Sequence, residues 1–314
     1  MGGTAPVVTV VRTAVAVAGV VAVTLAGAWL LAQPLLSPSA AAVRAVADGA
    51  AVTALGLATV QMLDGHRFRD ELMARASTPL VAAGAIWLIA ELVRLTLGAA
   101  EAADVAVGQL SAQTTWDFAT LTSAGRSGVL SLLAAAAIAA TAMLLRPSPA
   151  VRLAAAGAAA TGLAARAVTG HLAEGTLSAT AVVVHALAAA VWCGVLTALA
   201  LTVRSRGQWA RVLPTFSQLS LLCVSVLVVG GTVSALTRIG TLSELVTTGY
   251  GRILVAKLIA TAVLVALAAR YRATWVPSAT SHRISAQASR RKSLIELAVM
   301  AVALTLAAAL TVTG

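Results

Sequence analysis

Two histidines of the chain are placed where their imidazoles could bind a metal ion together. His171 ends one apolar segment, and His185 lies about two helical turns inside the next. Consecutive membrane-spanning helices are antiparallel, and a short loop joins these two, so the two side chains can approach each other. Imidazole is a ligand for copper, haem iron and zinc. The sequence therefore predicts a ligand site between His171 and His185, with hydrogen-bonded packing as the alternative for each.

Two cysteines lie in the middle of apolar segments. Cys193 follows His185 on the same segment, and Cys223 is on the next. A thiolate is a soft ligand suited to Cu(I), which makes Cys193 a candidate second station for such an ion. A free cysteine is also a common small apolar residue in a protein core. The depths of the two cysteines differ by about two helical turns, so we do not expect them to pair.

Charged residues interrupt several apolar segments on the same side of the predicted membrane. They are Asp48, Glu91, Arg94, Arg166 and Lys257. An ionised group at bilayer depth costs at least about 2.5–3.5 kcal/mol, so such residues face a bundle interior or a water-filled cavity. We therefore predict a polar vestibule. The alternative is pairing within a helix, since Glu91 and Arg94 are three residues apart and Arg44 and Asp48 are four apart.

The composition of the chain identifies it as an all-α integral membrane protein. Of its 314 residues, 60% are apolar and 11% charged, and its mean hydropathy is +0.94. A soluble domain is about 25% charged, and the strands of a membrane barrel alternate apolar with polar residues instead of forming long apolar runs. About 20 apolar residues cross a bilayer as a helix. Nine segments meet this length: 7–32, 42–63, 78–100, 127–145, 150–170, 178–203, 213–237, 250–271 and 293–312.

The basic residues predict the orientation. Most lie in the loops after the second, fourth, sixth and eighth segments, such as 270–292. Because cytoplasmic loops collect Lys and Arg, we expect the amino terminus in the cytoplasm and the carboxyl terminus outside, in a multi-pass protein of the cell membrane. The net charge of +11 then reflects orientation and lipid contact, and we expect no nucleic acid partner.

A short pattern occurs twice. Thr122-Ser123-Ala124-Gly125-Arg126 and Thr248-Gly249-Tyr250-Gly251-Arg252 both read T-x-x-G-R, and each opens an apolar segment. Four segments separate the copies, so both have the same orientation, which fits a parallel repeat of segments 1–4 and 5–8 followed by a ninth helix. We also expect a surface helix within the acidic loop 101–126.

Several of these residues together resemble the copper resistance protein D family. The matching motifs are G-H at His171, H-x-x-A-A-x-x-W-x-G from His185 to Trp192 and Gly194, Y-G-R-x-L-x-x-K from Tyr250, Gly251 and Arg252 to Lys257, and Glu296 in the last segment. Cys193 is a departure, since the family usually has a non-thiol residue there. The resemblance covers about residues 165–312. It implies two regions in one bundle, a variable amino-terminal region 1–164 and a family domain 165–314.

The resemblance implies copper transport or tolerance. We expect His171 and His185 to accept a copper ion at the outer face, handed over by an extracytoplasmic carrier protein, and Cys193 to be a second station deeper on the same helix as His185. The excess of positive charge in the vestibule repels a cation, so haem b is the alternative ligand, with basic groups beside its propionates. A third hypothesis is that the chain is a structural subunit without a ligand. The P-loop and other soluble-enzyme motifs do not occur, and we do not expect an enzyme.

Overall fold

The computed structural model describes residues 4–32, 37–168, 176–238 and 244–313, and within these ranges the regular structure is entirely helical. The helices are α1 Thr4–Ala32, α2 Pro38–Thr59, α3 Arg69–Ala102, α4 Ala112–Leu121, α5 Ser123–Leu144, α6 Pro149–Ala167, α7 Thr176–Thr202, α8 Arg206–Arg238, α9 Glu244–Thr247, α10 Gly249–Thr280 and α11 Ala286–Thr313. Short 3₁₀ turns lie at Val60–Leu63, His66–Phe68 and Val107–Gln109.

Each predicted apolar segment coincides with a helix. Among the described residues, seven helices are long and apolar enough to cross a membrane: α2 with the turn that extends it, α3, α5, α7, α8, α10 and α11. The remaining two predicted spans correspond to α1 and α6. The prediction of an all-α polytopic membrane protein is confirmed.

The two T-x-x-G-R copies are helix caps with the same geometry. The Thr122 hydroxyl accepts a hydrogen bond from the Gly125 amide at 2.9 Å, and the Thr248 hydroxyl accepts one from the Gly251 amide at 2.9 Å. Such a side chain satisfies an amide that the first turn of a helix leaves without a partner. The repeated threonine and glycine are therefore explained by the start of α5 and of α10. We name this end of the bundle the capped end.

The acidic loop contains the predicted surface helix. Helix α4 packs against α3 and α5 just before the first cap. A Cβ on Gly125 would overlap with the Phe118 carbonyl, so glycine permits the close turn from α4 into α5. The short α9 precedes the second cap in the same way.

Helix packing relates the two halves of the chain. Helix α2 packs on α3, α3 on α5 and α5 on α6; likewise α7 packs on α8, α8 on α10 and α10 on α11. The packing thus relates α2 to α6 with α7 to α11, and the additional helix is α1, which packs mainly on α11. This differs from the expected repeat of segments 1–4 and 5–8, in which the ninth helix was the additional one.

The two halves meet where α2 crosses α7. A Cβ on Gly56 would overlap with the carbonyl of Gly194, and a Cβ on Gly194 would overlap with the carbonyl of Val52. Backbones this close require small residues, as is common where membrane helices cross. The family-motif residue Gly194 therefore lies at the centre of the bundle.

The opposite end, the basic end, is joined by polar contacts between the halves. The Arg211 guanidinium of α8 donates to the buried Asp64 carboxylate at 3.0 Å and lies over the Phe68 ring. Arg75 of α3 donates to the Gln208 side chain of α8 at 2.9 Å. These contacts join the connection between α2 and α3, and the start of α3, to the first turns of α8.

Candidate functional site

His185 packs against a pair of glycines on the neighbouring helix. A Cβ built on Gly230 of α8 would lie 3.4 Å from the Nδ1 atom of His185, and a Cβ built on Gly231 would lie 3.8 Å from its Cε1 atom. The absence of side chains at these two positions leaves room for the imidazole between α7 and α8. Nothing in the sequence marked this glycine pair as part of a site.

The Nδ1 atom of His185 is buried and has no hydrogen-bond partner. The carbonyl of Leu227 lies close enough to interact with the ring, but no hydrogen bond between them meets strict geometry. In a neutral imidazole, a proton on one nitrogen leaves a lone pair on the other. With the proton on Nε2, the lone pair of Nδ1 is available to a metal ion.

Lys257 of α10 lies within electrostatic range of this imidazole. Both residues are about 12–14 Å from the start of their helices at 1.5 Å per residue, which agrees with the common depth predicted from the sequence. Among the described residues, no carboxylate forms an ion pair with Lys257.

A second group of side chains lies deeper, where α7 meets α11. Glu296 is 2% exposed and interacts electrostatically with Cys193 of α7 and with Tyr271 of α10. The indole Nε1 atom of Trp192 faces the Glu296 carboxylate but lies outside strict hydrogen-bond geometry. No cation of the described residues pairs with Glu296. Because α11 begins at Ala286, Glu296 is not at a helix start, and stabilisation of a helix end does not explain it.

The two cysteines are buried and reduced. Cys223 of α8 lies within electrostatic range of Cys193. Nevertheless, the described residues include no group of three or more His, Cys, Asp or Glu side chains placed to hold a metal ion. His171 lies outside the described residues, so its approach to His185 stays a prediction.

The other predicted vestibule residues form an ion-pair cluster between α2, α3 and α6. At its centre the Glu91 carboxylate, 1% exposed, pairs with Arg166 and with Arg94, the latter at 3.2 Å. It also accepts a hydrogen bond from Ser131 of α5 at 2.9 Å and one from Trp87 at 3.4 Å. Asp48 lies 3.5 Å from Arg44 and 3.7 Å from Arg94. We name these five charged residues the arginine cluster.

The predicted vestibule residues thus fall into two places. Asp48, Glu91, Arg94 and Arg166 belong to the arginine cluster, whereas Lys257 lies beside His185. The pairing of Glu91 with Arg94 along α3 follows from their spacing, but the contributions of Arg166, Ser131 and Trp87 depend on packing between helices.

The remaining family-motif residues stabilise the start of α10. Gly251 supplies the capped amide, and Arg252 is exposed beside it. Tyr250 is partly buried and packs against the cluster formed by α1, α10 and α11. These residues position Lys257 two turns further along the same helix.

Two family models match most of the chain. The model described as Copper resistance protein D-like, N-terminal domain matches residues 35–179, and the model described as Copper resistance protein D matches residues 210–310. The first match spans α2 to α6, and the second spans α8 to most of α11. The amino-terminal half, expected from the sequence to be variable, therefore also carries a family signature. No curated protein and no solved structure matches the chain.

Proposed function

The chain belongs to the copper resistance protein D family, and we propose that it carries copper across the membrane by way of His185. Membership makes it a copper resistance membrane protein in general terms. The finer proposal is that His171 and His185 accept the ion near the capped end and that Cys193 receives it deeper in the bundle. Copper is the cargo in this scheme.

The observation that carries the proposal is the unpartnered Nδ1 atom of His185. A buried nitrogen without a partner is unfavourable unless a ligand or water occupies the space beside it. Its lone pair lies on the side of the ring next to Gly230, where no side chain covers it. An imidazole from His171, on the segment before α7, would supply the second nitrogen ligand.

Cys193 supports a second binding position. It is eight residues further along α7, or about 12 Å at 1.5 Å per residue, so it cannot share one metal ion with His185. Soft sulfur ligands favour Cu(I), and the neighbouring Glu296 carboxylate offers a counter-charge to a cation that reaches this depth. Two sites with few ligands each suit the passage of an ion better than its permanent storage.

The ion pairs of the arginine cluster reduce the objection to a copper cation. Arg94 and Arg166 both pair with Glu91, so their repulsion of a cation is offset. Lys257 interacts with His185, and its positive charge lowers the affinity of that site for copper. Weak binding at the entry site allows the copper ion to be released to the next site.

The direction of transport in this proposal is inward. If the basic end is cytoplasmic, as the positive-inside rule indicates, His185 lies on the outer side and Cys193 further in. The chain then needs copper from outside, which an extracytoplasmic carrier protein would provide.

Copper binding by the purified protein tests the proposal. We expect His185→Ala and His171→Ala each to weaken Cu(I) binding, measured by competition with a coloured chelator, by roughly tenfold or more, since even changes behind a metal ligand have effects of this size. His282→Asn is the control, because His282 is exposed at the basic end and Asn tolerates its positive φ. Unchanged affinity in both alanine variants would remove the histidines from the mechanism, and a Soret band in the purified protein would favour haem.

A further inference from the structure

A cavity of about 250 Å³ opens at the capped end between α2, α3 and α11. Two of its lining side chains, Arg44 and Arg94, belong to the arginine cluster, and its apolar walls include Val43, Leu97 and Val312. Glu101 also lines it and is exposed at its rim. None of its lining residues belongs to the proposed copper path, although one wall is formed by the end of α11.

The arginine cluster contains more positive than negative charge. Its members are three guanidinium groups, on Arg44, Arg94 and Arg166, and the two carboxylates of Asp48 and Glu91. Glu91 is fully engaged by Arg166, Arg94, Ser131 and Trp87. Asp48 is therefore shared between Arg44 and Arg94.

Arg44 is the least satisfied member of the cluster. Its Nε atom is buried and has no hydrogen-bond partner, although the carboxylate of Asp48 lies 3.5 Å away. No hydrogen bond to another described residue is formed by the Arg44 side chain, whereas Arg94 and Arg166 both donate to Glu91. A buried guanidinium normally has its N–H groups occupied.

We propose that this cavity binds a phosphate group, held by Arg44 and Arg94, and that its natural source is the headgroup of an anionic phospholipid. The fork of a guanidinium matches phosphate oxygens in pairs. The cavity is at the end of the bundle where α2 begins and α3 and α11 end, and the ends of membrane-spanning helices reach the headgroup region of a bilayer. Basic pockets between membrane helices bind lipid headgroups in this manner, and the apolar walls can contact the acyl chains.

Native mass spectrometry of the detergent-purified chain with phosphatidylglycerol tests this site. We expect Arg44→Gln to weaken retention of the lipid by roughly tenfold, the effect of one charge-assisted hydrogen bond. Val43→Phe, which fills the cavity and keeps every charge, is expected to have a similar effect. Arg126→Gln is the matched control, since Arg126 is an exposed arginine at the same end and its loss should leave retention unchanged.

Binding measurements with other ligands identify the source of the phosphate. Phosphatidylcholine should bind more weakly than phosphatidylglycerol, and inorganic phosphate should compete only at much higher concentration. Equal competition by inorganic phosphate would assign the site to a free anion and overturn the lipid proposal. Wild-type retention in both Arg44→Gln and Val43→Phe, with all variants monodisperse by size-exclusion chromatography, would overturn the site itself. Neither result bears on copper binding at His185.

Discussion

Single atoms decide what His185 can do. The imidazole lies beside the carbonyl of Leu227, and its buried Nδ1 atom has no hydrogen-bond partner. Removing the side chain tests the residue, but not the claim that this particular nitrogen is the ligand. The glycines opposite the ring allow a finer test, because each can receive a methyl group.

Gly230→Ala should block Nδ1 without removing the imidazole. The new Cβ would lie 3.4 Å from Nδ1, an ordinary contact distance that requires no large movement. We expect Cu(I) affinity to fall nearly as far as in His185→Ala, because the methyl group occupies the position of the metal. Chelator competition measures this effect.

Gly231→Ala is the matched control for that substitution. Its Cβ would lie 3.8 Å from Cε1, on a carbon that binds nothing, so the variant should keep wild-type affinity. Equal loss in both variants would mean that the contact between the helices, not the unpartnered Nδ1 atom, matters for binding.

The arginine cluster illustrates what spacing along a helix can and cannot predict. The contact between Glu91 and Arg94 follows from the helical period. The pairing of Glu91 with Arg166 and Ser131 needs α3, α5 and α6 to be placed in space, and no local pattern contains that information. Residue types therefore predicted that these groups are buried together. Only the fold shows that Lys257 lies apart from them.

At the scale of helices, close crossings at glycine set the geometry of the bundle. Gly56 and Gly194 let α2 and α7 touch backbone to backbone, and this contact places Trp192 and Cys193 beside α11. Apolar runs predicted every long helix, because burial in lipid demands them. Helix ends were less well predicted, since α3 and α11 continue through polar residues such as Asp70, Glu71 and Arg290 that favour helix without being apolar.

Gly56→Ala should destabilise the bundle. The added methyl group would overlap with the Gly194 carbonyl, so the helices must separate, and overpacking of this kind costs about 1–3 kcal/mol. We expect a lower midpoint of thermal unfolding in detergent. Gly49→Ala on the same helix has open space around its Cβ and should be neutral or slightly stabilising, because alanine favours helix. A similar loss in the two variants would show that α2 tolerates no substitution and that the crossing is not special.

The whole molecule consists of two similar sets of helices with different polar contents. The set α2 to α6 contains the arginine cluster and its cavity, whereas the set α7 to α11 contains His185, Lys257, Cys193 and Glu296. The sequence pattern T-x-x-G-R detected this relation because both copies cap equivalent helices. The polar residues did not reveal this relation, because they differ between the two sets. The difference is consistent with metal handling in one set and lipid contact in the other.

Inward transport depends on the orientation of this assembly, which labelling can establish. Val105 lies in the loop before α4 at the capped end, and Ser281 lies in the loop between α10 and α11 at the basic end; both are exposed. With the basic end in the cytoplasm, Val105→Cys should react with a membrane-impermeant maleimide in intact cells. Ser281→Cys should react only after permeabilisation. The wild-type chain is the control, because Cys193 and Cys223 are buried and should stay unlabelled. The reverse pattern would place His185 on the cytoplasmic side, and the same two sites would then favour export of copper.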